Sequence, residues 1–317
     1  MKMRNSDIGK VLVTGGAGFI GSHLTDKLIQ NHYEVVVLDN FSTGRLKNLN
    51  KSSGKAEIIE GNMGDRDVLK TALQGVTVIH HLAAQPNVRR SVEDPIYDLR
   101  NNVEEFLVLI EEATKQEVRK VIYASSGGAA YGEPFEIPVP ESHPTNPISP
   151  YGISKLVVEK YLHYYQVNYG LTCFALRYAN VYGPRQDPLG EAGVMSIFFH
   201  RILQNKSPQV FGDGTQTRDY IFVEDVVSSH LAAMDYKGKN WIFNIGTGQE
   251  VSVLDIVDMM RTVVGRNVQP EHIEPKKGEV YKTALDCSLA QRELNWKPQI
   301  NLQTGMQKLW EWMKTSS

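Results

Sequence analysis

Two residues that can move a proton, Tyr151 and Lys155, lie four positions apart in the segment SPYGISK. A spacing of four places both side chains on one face of a helix, one turn apart. Ser149 suits the N-cap and Pro150 the first helical position, so we predict that the pair lies in the opening turns of a helix. A nearby ammonium favours phenolate over phenol, which lets the tyrosine act as a base near neutral pH. Because the same spacing is common on ordinary helices, the pair alone predicts no activity.

A glycine-rich turn gives the pair a context. The segment KVLVTGGAGFIGSHL places Gly15, Gly18 and Gly21 after an apolar strand and at the start of an amphipathic helix. Such glycines permit a tight turn and a close approach to pyrophosphate, and the helix N-terminus offers N–H groups and a positive dipole to the phosphates. The sequence therefore predicts a dinucleotide site, with a bare glycine-rich turn as the alternative.

A carboxylate indicates which dinucleotide is bound. Asp39 ends the second apolar run, in VVVLDNFSTG, where it can accept hydrogen bonds from the adenosine ribose and repel a 2′-phosphate. The sequence therefore favours NAD over NADP, although Arg45 could attract a phosphate. Asn62, after the third run, offers an amide to the adenine amino group.

These residues need a scaffold, and the first half of the chain predicts one. Short runs rich in Val and Ile alternate with amphipathic stretches, as in a parallel sheet covered by helices on both faces. The predicted strands are residues 10–14, 34–38, 56–60, 76–82, 118–125 and 171–177, and the predicted helices are residues 19–31, 67–73, 95–115 and 150–169. We therefore predict an α/β fold with a Rossmann-type, doubly wound parallel sheet.

The chain divides into two parts at about Tyr178. Residues 1–178 are expected to form the NAD-binding domain, including the helix of Tyr151 and Lys155. Residues 179–317 have an irregular rhythm with many Gly and Pro turns, with short strands near Gln209 and Trp241 and helices near Glu224 and Val253. We expect them to form a smaller α/β lobe that binds the substrate and returns some segments to the sheet.

Composition excludes several classes of protein. The 317 residues are 41% hydrophobic and 22% charged, with a formal net charge of -2. We therefore expect no nucleic-acid or membrane partner, although a phosphate-bearing ligand needs a locally basic pocket. Cys173 and Cys287 match no metal-ligand spacing, so we expect no metal. The polar start of the chain has no apolar signal segment, and we expect a cytoplasmic protein.

Over essentially its whole length the chain resembles the UDP-galactose 4-epimerase branch of the extended short-chain dehydrogenase/reductase family. The segments that carry the resemblance are the glycine-rich turn, HHLAAQPNV, RNNVEE, YASSGGAAYGE, SPYGISK, ALRYANVYGPRQ, FGDGTQTRDYIFVEDV and DCSLAQRELNW. The resemblance implies a tightly held NAD, a UDP-sugar substrate and a homodimer built from helices 95–115 and 150–169. The apolar residues predicted for that interface include Phe106, Leu109, Val157 and Leu162.

The resemblance also implies the residues of the site. For the cofactor they are Gly15, Gly18, Phe19, Ile20, Gly21, Asp39, Asn40, Ser42, Thr43, Gly44, Asn62, Met63, Leu82, Ala83, Ala84, Gln85, Asn102, Ser125, Tyr151, Lys155 and Tyr178. For the substrate they are Val88, Ser126, Asn180, Val194, Val210, Arg218, Lys276 and Thr283. By the same resemblance, Tyr151 accepts the proton of the sugar 4-hydroxyl, Lys155 holds the nicotinamide ribose, and Asn180 and Arg218 hold the diphosphate.

Three positions depart from the family pattern. Gly127 stands where relatives carry Ser or Thr, so we assign the hydroxyl that orients the substrate to Ser126, with Ser125 as the alternative. Lys276 replaces a second phosphate-binding arginine and keeps its charge but not its fork of donors. Thr283 stands where epimerases restricted to UDP-glucose and UDP-galactose carry Tyr, which predicts a wide sugar pocket. A shift of two residues in the alignment would instead place Tyr281 there and predict a narrow one.

The predicted function is NAD-dependent 4-epimerisation of a UDP-hexose through a transient 4-keto sugar. UDP-glucose and UDP-galactose are the expected substrates, with their N-acetyl counterparts as further ones. UDP-glucuronate 4-epimerisation is the alternative. A 4,6-dehydratase is less favoured, because Gly127, Gly128 and Ala129 stand where that reaction needs an Asp-Glu pair. A noncatalytic NAD-binding sensor would have no need of the Tyr151/Lys155 pair.

Overall fold

The computed structural model describes residues 9–189, 193–275 and 280–316. The strands are β1 (Lys10–Thr14), β2 (Val35–Asp39), β3 (Ala56–Glu60), β4 (Val76–His81), β5 (Lys120–Ser126), β6 (Thr172–Tyr178), β7 (Asn180–Tyr182), β8 (Gln209–Phe211), β9 (Thr217–Arg218), β10 (Tyr220–Phe222), β11 (Ile242–Ile245), β12 (Val251–Ser252) and β13 (Glu271–Ile273). The helices are α1 (Phe19–Gln30), α2 (Arg66–Ala72), α3 (Val88–Glu93), α4 (Pro95–Leu99), α5 (Glu105–Thr114), α6 (Gly127–Ala130), α7 (Pro150–Tyr169), α8 (Val194–Leu203), α9 (Val223–Asp235), α10 (Val253–Val264), α11 (Ser288–Glu293) and α12 (Leu302–Ser316).

The main sheet has seven strands in the order β11-β6-β5-β4-β1-β2-β3, and all of its pairings are parallel. The chain order reverses between β1 and β4, which creates the crevice where such sheets bind ligands. Val13 of β1 stands opposite Val37 of β2 and His80 of β4, so these strands end at one level. The predicted α/β fold with a doubly wound parallel sheet is confirmed.

The six predicted strands of the first half agree with the structure to within two residues. Their apolar runs were readable because both faces of the sheet are covered. Val11 and Val13 face one hydrophobic cluster, whereas Leu12 between them faces another, and all three are fully buried. A third cluster fills the lobe formed by α8, α10 and α12.

The predicted helix 95–115 is wrong as a single regular helix. The chain forms α4, then a π-helical turn over Arg100–Glu104, and then α5. A π turn adds one residue to the turn and rotates the residues after it, and such turns recur at functional sites. Asn102 lies in this turn and is buried.

Phe106, Leu109 and Leu162 belong to the core and not to a free surface. Each is at most 1% exposed and packs in the cluster that covers one face of the sheet. Their helical spacing therefore reflects packing against the sheet. Within the three described ranges, none of the helices has the length and apolarity needed to cross a membrane.

Candidate active site

The turn between β1 and α1 fits a pyrophosphate. Gly15 has a φ of +67°, and a Cβ there would lie 2.7 Å from the backbone nitrogen of Ala83. A Cβ at Gly21 would lie 2.1 Å from the Gly15 carbonyl oxygen. No side chain of the described residues caps α1, so the N–H groups of its first turn can face an anion. The turn therefore needs glycine and offers the donors that a dinucleotide requires.

Asp39 is oriented for a ribose. Its carboxylate is 7% exposed and accepts backbone N–H groups from Ala17 at 2.8 Å and Phe41 at 2.9 Å. Burial raises the pKa of Asp39, while the two hydrogen bonds lower it. Arg45, the basic residue considered above as a partner for a 2′-phosphate, forms an ion pair with Asp187 of the lobe. The arrangement therefore suits a cofactor without that phosphate.

Asn62 is partly engaged within the chain. Its amide nitrogen donates to Glu105 at 3.0 Å, and its oxygen accepts the Gly64 N–H at 2.6 Å. One amide hydrogen remains for a ligand. The other predicted cofactor residues lie in the turns and helix starts at the carboxyl ends of β1 to β4: Phe19, Ile20, Asn40, Ser42, Thr43, Gly44, Met63, Leu82, Ala83 and Ala84.

A buried polar network joins the segment after β4 to α4 and α7. The Asn102 side chain accepts the Gln85 N–H at 2.8 Å and donates to the Gln85 carbonyl at 3.1 Å. Asp98 accepts from the amide nitrogens of Asn102 and Gln85, both at 2.9 Å, and from the Ser154 hydroxyl at 2.6 Å. Sequence reasoning missed Asp98 and Ser154. One available signal was an acid one helical turn before Asn102.

The predicted catalytic pair, Tyr151 and Lys155, lies where α7 begins. Ser149 accepts the Gly152 N–H at 3.1 Å, so the predicted N-cap is present. Lys155 is 3% exposed, and its ammonium donates to the Ala124 carbonyl at 2.9 Å. The ammonium nitrogen lies 5.6 Å from the ring centre of Tyr151. The structure therefore brings the tyrosine and the lysine together at the carboxyl end of β5.

The pKa of Lys155 lies close to the neutral pH range. Burial lowers its pKa to about 8, and the carboxylates of Asp98 and Glu159 oppose that shift. His81 of β4 lies nearby, and burial together with Lys155 lowers its pKa to about 3, so it is neutral. A buried ammonium beside a phenol favours the phenolate form.

The two candidate serines lie in different environments. The Ser125 hydroxyl donates to Glu159 at 2.6 Å, and Arg177 binds the same carboxylate through two nitrogens at 2.9 and 2.6 Å. Ser126 is half-buried and does not cap α6. At Gly127 a Cβ would lie 2.7 Å from the end of the Leu285 side chain, so a larger residue there would require that side chain to move.

Part of the predicted substrate set lines one cavity. Asn180 and Val194, with Gln186 and Tyr220, border a cavity of about 230 Å³ beside β7. The Asn180 side-chain oxygen would lie 3.8 Å from a Cβ at Gly128, so this cavity is near the end of β5.

The remaining substrate residues are more scattered. Arg218 donates to the carbonyls of Thr217 at 2.8 Å and Tyr281 at 3.2 Å. Val210 is fully buried in the lobe core, and Val88 is 40% exposed on α3. Thr283 is buried, and Lys276 lies outside the described residues.

Tyr178 ends a buried hydrogen-bonded chain. Its hydroxyl pairs with His230 on α9, whose other ring nitrogen lies 2.8 Å from His80 of β4. Burial raises the pKa of Tyr178 well above its ordinary value and lowers that of His230 to about 3. Sequence reasoning missed His230, which is 52 residues from its partner.

Comparison with known proteins agrees with this site. The profile of the NAD dependent epimerase/dehydratase family matches residues 11–246. A protein of Methanocaldococcus jannaschii is 48% identical over 97% of this chain and 99% of its own length. The UDP-glucose 4-epimerase of Mycolicibacterium smegmatis is 42% identical over the same shares. The structure of the UDP-glucose 4-epimerase of Thermotoga maritima with UDP-glucose has a TM-score of 0.93 and 43% identity, covering 97% of this chain and 99% of that one.

The chain belongs to the NAD dependent epimerase/dehydratase family of extended short-chain dehydrogenases. It is therefore an NAD-dependent enzyme, and the predicted preference for NAD is confirmed. The glycine turn and the oriented carboxylate of Asp39 are the features of this chain that fit the cofactor.

A substitution in the glycine turn tests the fit. Gly15→Ala adds both a strained φ and a collision with Ala83, and we expect purified protein to carry less than a tenth of the wild-type NAD. Gly54→Ala is the matched control, because Gly54 has a φ of +71° and no atom within 4 Å of an added Cβ. The strain alone costs about 1–2 kcal/mol. NAD released on denaturation, measured per chain, decides the matter: an equal content in the two variants would contradict the assignment.

Proposed function

We propose that the chain interconverts UDP-glucose and UDP-galactose by epimerisation at C4 and also accepts the N-acetyl pair. One observation carries this proposal: the Tyr151/Lys155 pair lies at the same sheet edge as the glycine turn and Asp39. The UDP-glucose 4-epimerases described above support the choice of substrate. UDP-glucuronate stays the alternative.

The bound NAD supplies a reversible hydride acceptor. Tyr151 accepts the proton of the sugar 4-hydroxyl, because the neighbouring charge of Lys155 favours the phenolate form of the tyrosine. Tyr151 returns that proton after the hexose has rotated in the site. Ser126 orients the 4-hydroxyl, because Ser125 is bound to Glu159. Asn180 and Arg218 hold the diphosphate, so the hexose can rotate about its phosphate linkage while its 4-keto form stays in the site.

A 4,6-dehydratase is disfavoured by the end of β5. Elimination of water needs an acid and a base beside the sugar C5 and C6. The short helix α6 presents Gly127, Gly128 and Ala129 at this place, and none has a side chain that transfers a proton.

We propose that residues 1–178 bind NAD and include the catalytic helix. Residues 179–317 mainly bind the UDP-sugar. The cavity bordered by Asn180 and Val194 supports the second assignment, and the position of β11 beside β6 accounts for the segments that return to the sheet.

We further assign the protein to the cytoplasm. Its two cysteines, Cys173 and Cys287, are both buried free thiols. Unpaired thiols are usual in a reducing compartment.

Tyr151→Phe tests the base. We expect turnover to fall by ~10² or more, because the phenyl ring cannot accept a proton. NAD content and thermal stability should stay near wild type. Tyr161→Phe, on the exposed face of the same helix, is the control and should keep full activity. Near wild-type epimerase activity in Tyr151→Phe would show that another group is the base.

The residue that limits substrate size is Thr283 in this proposal. Thr283 is 6% exposed, and Leu285, two residues on, packs against Gly127 at the end of β5. Tyr281 is 52% exposed, and its hydroxyl pairs with Thr215 at the surface. This difference in burial favours Thr283 over Tyr281 as the residue that borders the sugar.

Thr283→Tyr should selectively remove activity on the N-acetyl sugars. An aromatic ring would fill the space for the N-acetyl group, and a displacement of C4 by about 1 Å can cost on the order of 10² in rate. We expect kcat/KM for UDP-N-acetylglucosamine to fall by that order, with a change below about threefold for UDP-glucose. Tyr281→Thr is the matched control and should leave the preference unchanged. If the preference instead follows Tyr281, the shifted alignment is correct.

A homodimer through α4 and α7 is the quaternary structure we propose. These two helices carry exposed apolar side chains: Ile96, Leu99, Ile153, Tyr164 and Val167, each between 47% and 66% exposed. Two copies of this face would form a four-helix bundle related by a twofold axis. This exposed set takes the place of the buried residues that periodicity predicted for the interface.

Leu99→Arg should weaken this dimer. Light scattering at micromolar concentration is expected to give twice 35.6 kDa for wild type and a mass near 35.6 kDa for the variant. An arginine at a buried apolar contact leaves a charge without water or partner. Ile58→Arg, on the edge strand β3, is the control and should remain dimeric. Monomeric wild-type protein would rule out the interface.

A further inference from the structure

We propose that Asp98 is a positioning residue that keeps Lys155 charged and fixes it relative to Tyr151. The inference rests on the proposed roles of Tyr151 and Lys155 in the epimerase reaction. It assigns a function to a carboxylate that lies on α4, outside the catalytic helix.

Asp98 accepts three hydrogen bonds although it is fully buried. One carboxylate oxygen accepts from Gln85 and Asn102 at 2.9 Å, and the other accepts from Ser154 at 2.6 Å. Hydrogen bonds to the charged form of a carboxylate favour that form. All three donors are neutral, so among the described residues the charge of Asp98 is not consumed by a direct ion pair.

The other carboxylate near Lys155, that of Glu159, already has a cationic partner. Glu159 is 1% exposed and receives two hydrogen bonds from the guanidinium of Arg177, which is itself 3% exposed. Both carboxylates raise the pKa of Lys155, and Asp98, which forms no ion pair among the described residues, has the larger effect.

Besides Asp98 on α4 and Glu159 on α7, the ionisable groups that face Lys155 and Tyr151 carry no negative charge at neutral pH. They are His81 on β4, Tyr123 on β5 and Tyr178 on β6. His81 is neutral, and burial raises the pKa values of Tyr123 and Tyr178 well above their ordinary range.

The charge matters because Lys155 titrates close to the working pH. Its pKa of about 8 already includes the opposing effect of Asp98, so removal of that anion lowers the pKa further. Less ammonium then remains at neutral pH, and the Tyr151 phenolate loses its stabilising cation.

Asp98 also fixes geometry. Ser154 directly precedes Lys155 on α7, and Gln85 belongs to the segment assigned to the cofactor. One carboxylate therefore ties the start of the catalytic helix to the loop after β4. A displacement of either element would change the distance between the reacting groups.

Asp98→Asn removes the negative charge of the side chain and keeps its size and hydrogen-bonding capacity. The asparagine oxygen can accept from Gln85 and Asn102, and its amide can donate to the Ser154 hydroxyl, so the network survives without the anion. We expect kcat at pH 7 to fall by about tenfold or more with KM within about threefold. The basic limb of the kcat profile should move to lower pH, because the Lys155 ammonium loses a neighbouring negative charge. Ser154→Ala is the control, because it removes one hydrogen bond and keeps the charge, and both limbs should stay in place.

A double-mutant cycle tests whether Asp98 acts through the lysine. In a Lys155→Met background, Asp98→Asn should change the residual rate by less than about threefold. A full additional loss there, or an Asp98→Asn profile with unmoved limbs and only a lower Tm, would overturn the proposal.

A measurement on the holoenzyme covers the case in which Asp98→Asn does not fold. Lysine labelled with ¹³C at the ε carbon reports the charge of Lys155 by NMR, with the signal assigned by its loss in Lys155→Met. The wild-type signal should be that of an ammonium at pH 7, and a neutral amine at that pH would overturn the proposal. Because this readout needs no UDP-sugar, it stands even if the protein proves to act on another substrate, whereas inactivity on every UDP-hexose would refute the proposed function alone.

Discussion

The ammonium of Lys155 is almost completely removed from water, and the surrounding structure compensates for the lost hydration. A carbonyl at the end of β5 accepts a hydrogen bond from it, the ring of Tyr123 lies 4.9 Å away, and the carboxyl group of Asp98 lies on a neighbouring helix. These groups come from separate elements, so they meet only when the sheet, α4 and α7 are all in place. The chemistry of Tyr151 is in this sense a property of the assembled fold.

The parallel sheet brings these groups to one edge of the fold. Strands that run in one direction end at one edge, and each turn at this edge contributes a different group: glycines after β1, Asp39 at the end of β2, and the serines at the end of β5. The ion pair of Arg177 and Glu159 then joins β6 to α7 beneath the site. Breaking such a buried pair from one side costs about 3–5 kcal/mol, so the pair keeps α7 in register with the strands.

Sequence reasoning succeeded where a local pattern has a local cause. The strands are apolar because both faces are covered, the glycines are required by the turn, and Ser149 caps the helix three residues away. Sequence reasoning failed where hydrogen-bond partners are far apart in the sequence. Ser154 bonds an acid 56 residues earlier, and the π turn at Arg100–Glu104 is associated with the buried bonds of Asn102. Periodicity also marked Phe106 as apolar without telling which neighbour covers it.

The return of distant segments to the central core has a consequence for how this architecture can evolve. Backbone hydrogen bonds join Val139 to Ala284 and Asp286, and Leu285 packs in the same hydrophobic cluster as Val11 of the first strand. Residues 1–178 and 179–317 therefore share one interior and are not interchangeable modules. Exchange of the whole lobe between relatives would expose that interior, so new substrate preferences are expected to arise through individual substitutions around an inherited frame.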